Sequence, residues 1–189
     1  MRSEMIYHEQ EYDVIMIERE QLITEQEINQ NILGIEHANL NYHCCFEVKE
    51  YRLFLRECEI VCANGYRAVL QETNQEVLDS EEHVIHSNSV LMIPNTYSGS
   101  VVIGRDLICT ELEWQTYENK SSCYSYEEVI ELIFSQGVLV TTINHSRAMK
   151  RVRMNLECGY RTLDKKKDVR CIQKFLRDSF VGDYKEQLL

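Results

Sequence analysis

The chain has 189 residues, of which 44% are hydrophobic, 27% are charged and one, Pro94, is a proline; the formal net charge is −11. These values fit one packed globule and exclude a disordered, low-complexity or repeat-built chain. No stretch reaches the roughly 20 apolar residues of a membrane-spanning helix, and Met1-Arg2-Ser3-Glu4 leads into charges rather than an apolar signal core. The expectation is therefore a soluble protein of the cytoplasm or nucleus with no membrane partner.

Tyr12 to Glu18 is an apolar, β-branched run bounded by charges, read as a first strand. Thr24 with Glu27 forms a capping box, and Ile23 and Ile28 stand where the flanking hydrophobic staple belongs, so a helix is predicted from there to Gly34. From Cys44 to Gln71 the residues alternate as strands do, in the pieces Phe46 to Val48, Tyr51 to Leu55 and Glu59 to Val61. Asn64-Gly65 then supplies a hairpin turn, with Tyr66 to Gln71 returning. Past an acidic stretch from Glu72 to Glu82 come Ser89 to Ile93, Ser100 to Ile103 and Leu107 to Trp114, with Gly104-Arg105-Asp106 as a turn between the last two.

Ser125 with Glu128 repeats the capping-box pattern and predicts a helix over Tyr126 to Ser135, closed near Gly137. Val138 to Ile143 is read as a buried strand. In residues 146 to 163, Met149, Val152, Leu156, Tyr160 and Leu163 fall at helical spacing, although Gly159 weakens that run by about 1 kcal/mol. Asp168 is placed to cap a last helix with Val169, Ile172, Phe175, Leu176 and Phe180 on its apolar face, ended by Gly182. Tyr160, Phe175 and Phe180 are the expected core residues of this helical pair.

The fold class that follows is α+β: a mostly antiparallel sheet or small barrel in the middle, helices packed on it, and a C-terminal helical pair. The whole chain, 1–189, is expected to be a single domain, with an acidic α+β body over 1–145, a basic helical pair over 146–181 that completes the core, and a tail over 182–189.

Eight cysteines (44, 45, 58, 62, 109, 123, 158 and 171) would imply a disulfide framework in a small exported chain, but here they read as reduced thiols, several of them core hydrophobes. Adjacent strand residues point to opposite faces, so Cys44 and Cys45 cannot share a metal, and Cys58 and Cys62 lie roughly 13 Å apart in a strand. No metal site and no cofactor are expected. His83 and His86 follow Glu81 and Glu82 in a predicted surface loop that lacks the helical spacing of a zinc protease. The segment Gly99 to Asp106 lacks the Lys and Ser/Thr of a phosphate-binding loop, and neither a nucleophile elbow nor a dinucleotide-binding glycine motif occurs, so no catalytic residue is assigned.

The strongest feature is the charge division. Residues 1–145 carry 8 Lys and Arg against 25 Asp and Glu, whereas residues 146–177 carry 11 against 3, a local charge of +8. Two amphipathic basic helices joined by a lysine-rich turn are thus set against an acidic body. The expected function is a non-catalytic interaction module, an adaptor or scaffold, that binds an acidic protein partner through Arg151, Arg153, Lys165, Lys166 and Lys167. The alternatives are a nucleic-acid-binding small barrel, disfavoured by the −17 body, and an enzyme with a dispersed site around His83, His86 and Cys109.

Overall fold

The computed structural model describes residues 3–19, 21–23, 41–61, 67–70, 92–108, 123–157 and 165–184. The predicted helix from Thr24 to Gly34, the Asn64-Gly65 turn, the acidic stretch to Glu82, His83, His86, Cys109, Tyr160 and Leu163 lie outside the described residues.

Nine strands are described: β1 (Ser3–Tyr7), β2 (Gln10–Ile17), β3 (Asn41–Lys49), β4 (Arg52–Val61), β5 (Arg67–Leu70), β6 (Ile93–Pro94), β7 (Gly99–Leu107), β8 (Tyr126–Ser135) and β9 (Val138–Asn144). Two helices follow, α1 (Ser146–Glu157) and α2 (Lys165–Ser179). The strands run β3-β1-β2-β7-β8-β9-β4, and β4 pairs with β3 again, which closes a seven-stranded barrel; β5 and β6 add to β4. The β1–β3 pairing is parallel and the others are antiparallel, so the sheet is mixed. An α+β fold built on a small barrel is what the middle of the sequence predicted. Within the expected return strand, Arg67–Leu70 pairs with β4 as β5.

Two-residue turns join three of the hairpins. His8-Glu9, Glu50-Tyr51 and Gln136-Gly137 all have positive φ at both positions (50° and 62°, 50° and 61°, 50° and 74°). That conformation matches the right-handed twist of paired strands, and it favours Asn and Gly. Gly137 is required on a second count, because a Cβ there would fall 1.7 Å from the Asn95 carbonyl oxygen. The other two turns carry no such residue, and each non-glycine residue held there costs about 1 kcal/mol. The first turn hides β1 from a sequence reading, and the second places Tyr51 at the tip of a turn, 74% exposed, where a strand residue was expected.

The predicted helix at Tyr126 to Ser135 is instead a barrel strand, β8, paired along its length with β7 and β9. The cause is double burial. Ile130, Leu132 and Phe134 point into the barrel, while Val129 and Glu131 point out beneath the helices, so apolar residues run continuously and strand alternation is lost. Gly104-Arg105-Asp106, expected as a turn, lies within β7 with an unbroken register against β8. The expected buried strand at Val138 to Ile143 is β9, but only Leu139 is buried along it, and Val140 is well exposed.

Two apolar layers result. Met5, Phe46, Leu53, Leu55, Val101, Ile103 and Leu132 fill the barrel. Met16, Val102 and Val129, on the outer face of β2, β7 and β8, pack with Met149 and Val152 of α1 and with Leu176, Phe180 and Tyr184. Asp168 lies in the first turn of α2 rather than at its cap. Phe180 is buried as expected; Phe175 is not, standing 40% exposed at the margin of the outward face of α2.

Candidate functional site

Because both helices turn apolar residues toward one cluster, their opposite sides face outward, and those sides are cationic. On α1, Arg147, Lys150, Arg151 and Met154 fall at spacings of three, four and seven, which brings them onto one exposed face. Met154, 50% exposed, stands at the C-terminal end of this stripe, about a turn beyond Lys150 and Arg151. On α2 the exposed side carries Lys167, Arg170, Lys174 and Arg177.

Of the expected contact residues, Arg151 and Lys167 are exposed, and Lys165 and Lys166 open α2. Arg153 is a correction. It is 6% exposed, and its Nη1 donates to the carbonyls of Tyr124 (2.8 Å) and Tyr126 (2.6 Å), so it ties α1 to the segment entering β8. Position 153 falls on the inward side of a helix whose period is set by Met149 and Val152, and a buried guanidinium there needs the acceptors it has.

A buried polar network seats the end of the chain beside the same helices. Glu131 is fully buried on the outer face of β8. His145 Nε2 lies 2.9 Å from its Oε2; the backbone N–H groups of Val181 (3.1 Å) and Gly182 (2.8 Å) and the Tyr184 hydroxyl (3.2 Å) donate to its oxygens. Burial pushes the Glu131 pKa up, but the hydrogen bonds from His145, Gly182 and Val181 outweigh it and hold the carboxyl below its ordinary value. Burial and the Glu131 charge raise the Tyr184 pKa, which keeps the phenol a donor. His145 also contributes the carbonyl that accepts the first helical bond, from Met149 N, at 3.0 Å, so the network fixes where α1 begins. With every oxygen of Glu131 engaged by its own chain, the pair works as a clasp. Sequence reading missed it, although a glutamate inside the apolar run Val129 to Phe134 was the available signal.

The thiols divide by face. Cys44 points into the barrel, directly opposite Cys58 on β4, and its Sγ donates to the Cys58 Sγ at 3.4 Å. That hydrogen bond and burial push the Cys44 pKa up. Cys45 points outward, and burial together with the neighbouring Glu57 charge raises its pKa to about 11. The Cys44–Cys58 meeting depends on a β3–β4 register that no local motif encodes.

Cys45 lines a shallow cleft of about 350 Å³ on the outer face of β1, β2, β3 and β4. Glu4, Glu11 and Glu57 give it negative charge, Ile6 an apolar spot, and His43 stands 3.8 Å from Glu4. A bulge in β4 sets Arg56 beside Glu57 on this face, and Arg56 donates to Glu47 at 3.1 Å. Among the described residues no three His, Cys, Asp or Glu side chains converge as a metal site, and no helix is long and apolar enough to cross a membrane.

The fold defines a class, a closed seven-stranded mixed barrel with two helices. No family model, curated protein or solved structure matches the chain.

Proposed function

We propose that the chain is a non-catalytic interaction module, a single domain whose C-terminal helical pair offers a cationic face to an acidic protein partner. The observation that carries this reading is the exposed face of α1, where Arg147, Lys150 and Arg151 are followed on the same side by the half-exposed Met154. Methionine and arginine are enriched where protein partners meet, since a flexible apolar residue beside charge gives contact area as well as steering. The exposed Phe175 at the edge of the α2 face adds a second apolar anchor of the type that dominates binding energy.

The contact residues are Arg147, Arg151 and Lys167 together with Lys165 and Lys166. Arg153 is removed from that set by its burial. The test is affinity capture from the native cell extract after nuclease treatment, comparing the wild type with Lys165→Glu/Lys166→Glu/Lys167→Glu and with Arg147→Glu/Arg151→Glu. The expected result is loss of a captured acidic protein by both variants, with the fold retained. Capture that vanishes on nuclease treatment would assign the face to nucleic acid instead.

A further inference from the structure

Around the seven-stranded ring, β3 is three strands from both β7 and β8, the greatest separation such a ring allows. The helices pack on the outer face of β7 and β8, around Val102 and Val129. The acidic cleft, with Glu4, Glu11 and Glu57, opens on β1, β2, β3 and β4, centred on β1 and β3. The cationic helices and the anionic cleft thus centre on different walls of one barrel, with β2 giving Met16 to the helix layer and Glu11 to the cleft.

We propose that a second copy of this chain is the acidic partner: the cationic face of α1 in one copy, with Met154 at its end, docks in the Glu11–Glu57 cleft of the next. This rests on the reading of the helices as a docking face and names its occupant. Charge complementarity supplies the argument. The cleft offers the carboxylates of Glu11 and Glu57 to Arg147, Lys150 and Arg151, beside Glu4, which faces His43, and Ile6 offers an apolar contact to Met154. Its one arginine, Arg56, is already bonded to Glu47. Because the two surfaces differ, the contact is head-to-tail, and it propagates into a ring or a chain rather than stopping at a symmetric dimer.

Sedimentation velocity on the full chain at about 100 μM separates the outcomes. The wild type is expected to form trimers or larger species at low salt and to dissociate as salt shortens the screening length to about 3 Å near 1 M. Glu11→Lys/Glu57→Lys, altered in the cleft, and Arg147→Glu/Arg151→Glu, altered on the helix, should each be monomeric. An equal mixture should regain association, since the intact helix face of one variant meets the intact cleft of the other. All four positions are exposed, and an unchanged circular dichroism spectrum checks the fold. Glu11→Gln/Glu57→Gln gives a milder second version of the cleft variant. A wild type that stays monomeric at low salt overturns the proposal, as does a cleft variant that assembles normally. If the wild type is monomeric while the helix variant still loses its captured protein from extract, the self-docking fails and the docking face stands. If the helix variant keeps its capture, the docking face itself is refuted.

Discussion

Inside the barrel, Met5, Phe46, Leu53, Leu55, Val101, Ile103 and Leu132 form a layer held by apolar contact. Between β7–β8 and the helices, Met149, Val152, Leu176 and Phe180 share their layer with Glu131, His145 and Arg153, and the buried Asp, Glu, His and Arg side chains among the described residues all belong to this helix side. The difference is one of specification. An apolar core tolerates rearrangement of its packing, whereas a buried carboxylate bound by Val181, Gly182, Tyr184 and His145 accepts one arrangement of the chain. The barrel is thus the stable base, and the polar layer decides which side of each helix faces out.

The largest test of that contrast is Glu131→Ala. It leaves a histidine, two backbone donors and a phenol without their acceptor, and the expected loss is about 3–5 kcal/mol in urea unfolding. Leu132→Ala, its neighbour on the barrel side, should cost about 2–5 kcal/mol by opening a cavity. The two should then part in their response to acid. The Glu131 pKa is lower folded than unfolded, so its stabilisation is complete above the ordinary carboxyl range and is lost as pH falls through the depressed value. Leu132→Ala should keep the wild-type acid limb of a stability-versus-pH curve, and Glu131→Gln should flatten it. Equal acid limbs in the wild type and Glu131→Gln would remove the polar layer's special role.

Arg153→Ala is the next in size, at about 2 kcal/mol, because two carbonyls lose a charged donor. The smallest effect belongs to the barrel turns. Glu50→Asn/Tyr51→Gly relieves two left-handed non-glycine residues and should raise stability by about 1 kcal/mol, read as a higher urea midpoint at constant slope. A fall in stability would show that Tyr51 has a packing role its exposure does not suggest.

The sequence showed the barrel where strand alternation survived, as at Phe46 to Val48, and both C-terminal helices through Met149, Val152 and Leu176. It misled where one residue pattern serves two structures. Tyr126 to Ser135 carries a capping-box pattern and continuous apolar character, and only the helices on its outer face explain why a strand looks like that. β1 went unseen because His8-Glu9 carries no turn signal. Phe175 was assigned inward because helical spacing gives a stripe without its edge, and the position lies at that edge. The basic face itself was legible from composition, but Arg153's inward place and the cleft across the barrel depend on register and closure, which only the assembled sheet supplies.

The most direct measurement of the docking face is the affinity of the whole chain for fluorescently labelled poly-L-glutamate, followed by anisotropy across a salt series. The net charge of −11 opposes such binding, so affinity requires cations displayed together. The predicted result is salt-sensitive binding by the wild type, weakened at least about tenfold by Arg147→Glu/Arg151→Glu, a difference of about 1.4 kcal/mol. Equal affinity of the two proteins would contradict the assignment.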